Sequence, residues 1–76
     1  MKKIAILGVS GSIGKQSVDV IRQHQDLYSL VAASVNTSVK YLEELVNEFP
    51  SLKHICIGDY DLYQEFSKKH QDINVY

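Results

Sequence analysis

Ile4-Ala5-Ile6-Leu7-Gly8-Val9-Ser10-Gly11-Ser12-Ile13-Gly14 decides the fold. The apolar, β-branched run from Ile4 to Leu7 suits a parallel strand covered on both faces. Gly8, Gly11 and Gly14 follow at the spacing G-x-x-G-x-x-G. Ile13, Val18 and Ile21 then return at helical spacing, with small Gly14 and Ser17 between them. A strand that enters a glycine turn and runs directly into a helix places backbone amides where they can meet a phosphate. The first glycine permits the sharp turn, the middle one lets backbone approach a pyrophosphate, and the last lets helix and sheet sit close.

The start of that helix is electrostatically suited to an anion. Ser12 to Gln16 contains no carboxylate and carries Lys15; the first acid is Asp19. A helix start normally attracts Asp or Glu, and leaving it free of negative charge suits a bound phosphate. The other reading of these residues is an ordinary glycine-containing turn without a ligand. Gly14-Lys15 is not the end of a P-loop. Val9 stands where that motif needs its first glycine, and Gln16 stands where it needs the magnesium-binding hydroxyl.

Along the rest of the chain, strands and helices alternate. The first strand is expected over 3–7 and the first helix over 12–24. Leu30-Val31-Ala32-Ala33-Ser34-Val35 reads as the second strand. A second helix is expected from about Ser38 to Glu48, with Val39, Leu42, Leu45, Val46 and Phe49 on one stripe. Thr37 or Ser38 is available as its cap, and Pro50 closes it. A third strand over 53–57 leads through Gly58-Asp59 to a helix carrying Leu62, Tyr63 and Phe66, with Lys68-Lys69-His70 at its end. Ile73-Asn74-Val75-Tyr76 begins a fourth strand. This order predicts βαβ units: an α/β, Rossmann-like parallel sheet with helices on both faces, present as its first half.

In such a fold an acid about twenty residues past the glycines usually binds the adenosine ribose. Here the second strand ends in Asn36-Thr37-Ser38, and no acid occurs between Asp26 and Glu43. Neutral donors there, with Lys40 one turn on, remove the repulsion a carboxylate would exert on a 2′-phosphate. NADPH is therefore favoured over NADH, the alternative being a polar loop that contacts nothing.

Composition limits the partners. The chain has 76 residues, 45% hydrophobic and 22% charged, with net charge −1. No basic stripe points to nucleic acid, and the apolar runs are too short to span a membrane. Met1-Lys2-Lys3 precedes only four apolar residues, too few for a signal-peptide core. With the single Cys56 unable to form an intramolecular disulfide, a reducing cytoplasm is expected. Cys56 lies in a strand and is expected to be buried and inert. His24, His54 and His70 show no metal-ligand spacing.

The run Ile6 to Gly14, continuing through Gln16-Ser17-Val18-Asp19-Val20-Ile21, resembles the N-terminus of the 1-deoxy-D-xylulose 5-phosphate reductoisomerases. Their I-L-G-[SA]-[TS]-G-S-I-G motif is far more specific than a glycine triplet. The similarity continues through Leu30 to Val35 and weakens after about residue 48. On that resemblance Ser10, Gly11, Ser12 and Ile13 match positions that contact NADPH phosphates. Asn36, Thr37 and Ser38 depart from the family's usual Gly, Lys or Asn, and Asn, and they rest on the charge argument alone.

The resemblance implies residues 1–76 as the N-terminal part of an NADP-binding Rossmann domain, with catalytic and C-terminal regions outside it. The reaction implied is the isomerisation and NADPH-dependent reduction of 1-deoxy-D-xylulose 5-phosphate to 2-C-methyl-D-erythritol 4-phosphate, in isoprenoid precursor synthesis. It further implies Mg²⁺ or Mn²⁺ held by ligands outside this chain, a homodimer at full length, and no activity from these residues alone. Two alternatives stand beside it. One is another NAD(P)-dependent reductase or epimerase; the other is a non-catalytic nucleotide-sensing module.

Overall fold

The computed structural model describes residues 1–76. Four strands alternate with three helices: β1 (Lys2–Ile6), α1 (Ser12–Gln23), β2 (Tyr28–Val35), α2 (Val39–Glu48), β3 (His54–Ile57), α3 (Tyr60–Lys69) and β4 (Asn74–Val75). All neighbouring strands pair in parallel, in the order β1-β2-β3-β4. The α/β Rossmann-like class is the one the alternation predicts. No helix is long and apolar enough to cross a membrane.

The three helices of residues 1–76 lie on one face of the sheet. Val18 and Ile21 from α1, Leu42 and Leu45 from α2 and Phe66 from α3 join a single core with Ile6, Leu30, Ala33, Val35, Ile55 and Ile57. Each crossover advances one strand in the same direction, and right-handed crossovers that advance in one direction leave their helices on one side. The opposite face carries Ala5, Leu7, Ala32, Ser34, His54, Cys56 and Tyr76, which line a shallow apolar groove.

That one-sided packing corrects two expectations. Cys56 is exposed rather than buried, because it alternates with Ile55 and Ile57, which take the helix-covered side. Leu7 lies just beyond β1 and is 85% exposed. Within β2 the alternation slips once: Ile4 pairs with Leu30 but Ala5 with Ala32, so Val31 is the extra residue. The slip puts Leu30 and Ala33, three apart in sequence, into the same core.

Each helix forms where its apolar stripe predicts. Phe49 follows α2 and donates its N–H to the Leu45 carbonyl, 2.8 Å away, before Pro50 ends the helix. Arg22 on α1 binds Glu48 on α2 through two nitrogens and Asp19 within its own helix, which fastens the first two helices side by side.

Candidate functional site

The C-terminal ends of parallel strands share one edge of a sheet, so the turns after β1, β2 and β3 meet there. Backbone hydrogen bonds stitch them together. The Val9 N–H donates to the Ser34 carbonyl at 2.9 Å, Gly58 N–H to Val35 at 2.9 Å, and Asp59 N–H to Asn36 at 3.0 Å. Ser10 to Ile13 and Asn36 to Ser38, proposed separately from sequence, thus lie along one edge of the sheet.

The glycine turn takes its shape from three constraints. Gly8 has φ +65°, a conformation that L side chains rarely adopt. Val9, the residue after it, is fully buried and anchors the turn in the core. A Cβ on Gly14 would stand 2.5 Å from the Gly8 carbonyl oxygen and 2.6 Å from that of Val9, so α1 can approach the turn only with glycine there. Gly11 differs. A Cβ there would meet only the Gly8 oxygen, at 3.4 Å, an ordinary contact. The fold itself does not exclude a side chain at Gly11, and the space beside it opens toward solvent.

Beyond that turn the amides of Ser10, Ser12 and Ile13 donate to no protein acceptor. Gly11 is the N-cap of α1 and has no side chain to satisfy them, and the first turn of the helix has no acid. The α2 start is similar. Ser38 takes the N-cap position expected of Thr37 or Ser38, yet its side chain makes no capping bond, and the first turn again lacks an acid. At α3 the contrast is plain: Asp59 accepts from the Leu62 N–H at 3.0 Å, and Asp61 lies in the first turn. Two of the three helices therefore begin with free donors and no competing negative charge, at the same edge. Chemically this arrangement offers backbone amides and helix dipoles to an extended polyanion.

Gly11, Ser12 and Ile13 are exposed, as are Asn36, Thr37 and Ser38, while Ser10 is half-buried. The Lys15 ammonium sits 5.1 Å from the centre of the Tyr41 ring, bridging the first turns of α1 and α2. Burial pushes the Tyr41 hydroxyl above its ordinary range. Sequence reading missed Ser34, whose hydroxyl accepts the Gly8 N–H at 3.0 Å. The only signal was a polar residue in an otherwise apolar strand. No three His, Cys, Asp or Glu side chains gather to hold a metal ion.

The sequence model of the 1-deoxy-D-xylulose 5-phosphate reductoisomerase family matches residues 4–76. The chain is 44% identical over 72 residues to the reductoisomerase of Geobacillus kaustophilus, covering 93% of this chain and 18% of that protein. It is 37% identical over 68 residues to that of Bacillus subtilis, covering 90% and 18%. Among solved structures, a DOX-P reductoisomerase in complex with NADPH, fosmidomycin and magnesium superposes with TM-score 0.86 at 34% identity, over 99% of this chain and 19% of that one. The Zymomonas mobilis enzyme in complex with NADPH gives 0.83 at 26%, over 97% and 20%. The chain thus spans about one fifth of the length of these relatives. With its sequence matched along nearly its whole length, the chain belongs to the 1-deoxy-D-xylulose 5-phosphate reductoisomerase family.

Proposed function

We propose that this chain forms the NADPH-binding part of a reductoisomerase that converts 1-deoxy-D-xylulose 5-phosphate to 2-C-methyl-D-erythritol 4-phosphate. The observation that carries the reading is the α1 start: free amides at Ser10, Ser12 and Ile13, open space at Gly11 and no acid in the first turn. Similar solved proteins are complexes with NADPH, which supports the same cofactor here. Ser10, Gly11, Ser12 and Ile13 hold the pyrophosphate. Asn36, Thr37 and Ser38 meet the adenosine 2′-phosphate with neutral donors.

When bound, NADPH supplies the hydride for reduction. The residues of this chain bind and orient it, with the glycine turn fixing where the phosphates sit. A divalent metal, Mg²⁺ or Mn²⁺, belongs to the same reading, and a related structure holds magnesium. The side chains of residues 1–76 do not fit one, because no ligand cluster forms among them. The partner is then a small phosphorylated sugar, in a cytoplasmic homodimer that takes neither nucleic acid nor membrane.

Calorimetric titration of the full-length enzyme with NADPH and NADH tests the assignment. NADPH should bind at least about tenfold more tightly, equivalent to about 1.4 kcal/mol. Equal affinity overturns the role of Asn36, Thr37 and Ser38, and absence of binding overturns the cofactor assignment.

A further inference from the structure

We propose that Ser34 is a positioning residue for the cofactor pyrophosphate, acting through the Gly8 turn. This role rests on the NADPH reading above. Ser34 takes two consecutive amides of the turn: its hydroxyl accepts the Gly8 N–H at 3.0 Å and its carbonyl accepts the Val9 N–H at 2.9 Å. The grip falls on the one residue with a left-handed φ, where the chain reverses out of β1. From there the bonds continue into the helix. Gly11 N–H donates to the Gly8 carbonyl at 3.1 Å, and Lys15 N–H to the Gly11 carbonyl at 2.9 Å. The direction of the free amides at Ser10, Ser12 and Ile13 therefore depends on where Ser34 holds Gly8.

Strand formation does not account for a serine here. Position 34 lies in Leu30-Val31-Ala32-Ala33-Ser34-Val35, where alanine or a β-branched apolar residue would serve the sheet as well or better. The hydroxyl finds its partner 26 residues away, in the turn. Its own backbone is fixed by pairing on both sides, Ala33 to Ile6 of β1 and Ser34 to Cys56 of β3, so the anchor is rigid. A turn already held in its binding shape pays no ordering cost when a ligand arrives.

The test compares wild type with Ser34→Ala, Ser34→Val and Ser34→Thr, using NADPH and 2′-AMP as ligands. The second ligand has a 2′-phosphate but no pyrophosphate. Removing one hydrogen-bond acceptor should weaken NADPH about three- to tenfold in S34A and S34V. Affinity for 2′-AMP should stay within about twofold. S34V and S34T have the same shape, so recovery of NADPH affinity in S34T isolates the hydroxyl. Amide hydrogen exchange should quicken at Gly8 in S34A and S34V, and stay unchanged at Leu30 and Leu42. Unchanged NADPH affinity in S34V, equal losses for both ligands, or no rescue in S34T overturns the role of Ser34 while leaving the cofactor reading intact. A wild-type protein that fails to bind NADPH overturns the cofactor reading and this role with it.

Discussion

The Asn36 side chain lies directly over Gly58, its carboxamide oxygen occupying the space that a Cβ on residue 58 would need. Asn36 follows β2 and Gly58 follows β3, and the Gly58 and Asp59 amides donate to the carbonyls of Val35 and Asn36. The glycine after the third strand thus makes room for the asparagine after the second. Gly58 is part of what orients the first of the three neutral donors proposed for the 2′-phosphate.

Gly58→Ala should push the Asn36 carboxamide aside. The atoms that must yield are mostly those of a side chain, so the stability cost should be about 1 kcal/mol, the low end for overpacking. The NADPH-to-NADH affinity ratio should change by more than the stability does. Denaturant melts and paired titrations check this. A ratio identical to wild type would separate Asn36 from cofactor discrimination.

Gly11 and Gly14 should behave oppositely. Gly14→Ala drives a Cβ into the backbone of Gly8 and Val9, and should cost about 2–3 kcal/mol in urea denaturation. Gly11→Val should abolish NADPH binding with the far-ultraviolet circular dichroism largely intact, because the fold leaves that side of Gly11 open. Retained NADPH affinity in Gly11→Val would show that this turn does not hold the phosphates.

Both halves of that contrast start from residues legible in the sequence. The glycine spacing and the apolar stripes are local patterns, so the βαβ order, the glycine turn and the acid-free helix start could all be read from them. Which face of the sheet the helices cover is a different matter. His54-Ile55-Cys56-Ile57 shows a period of two, but alternation alone does not say whether the second face is covered, which is why the expected burial of Cys56 fails. The role of Ser34 and the packing of Asn36 on Gly58 are hidden for a related reason. Their partners, Gly8 and Gly58, lie more than twenty residues away, and only the parallel register brings them together.

Cys56 provides a chemical check on that correction. In the folded 76-residue chain its thiol should react completely with a disulfide reagent such as 5,5′-dithiobis(2-nitrobenzoate) without denaturant, since it faces away from the helix-covered core. Reaction only after unfolding would mean that this face of the sheet is covered.

The Arg22–Glu48 pair carries a pH dependence of known sign. Its hydrogen bond from Arg22 holds the Glu48 carboxyl below the ordinary value of 4.5, against an opposing effect of burial. A lowered carboxylate pKa adds stability above the unfolded value, and that stability is lost as pH falls through the folded one. The side chains are 41% and 36% exposed, so solvent screening limits the gain to about 0.5 kcal/mol. Glu48→Gln should melt earlier than wild type at neutral pH, and the two should converge in acid below the lowered value. A gap that persists undiminished there would contradict the assignment.

In the proposed reading, backbone amides at the start of α1 hold the phosphates of NADPH. Titration of the ¹⁵N-labelled protein with NADPH, followed residue by residue in ¹H–¹⁵N correlation spectra, tests it most directly. The amides of Ser10, Gly11, Ser12 and Ile13 should shift furthest and saturate together, with Asn36, Thr37 and Ser38 moving on the same curve. Saturable NADPH binding that leaves the Ser10–Ile13 amides unmoved would contradict it.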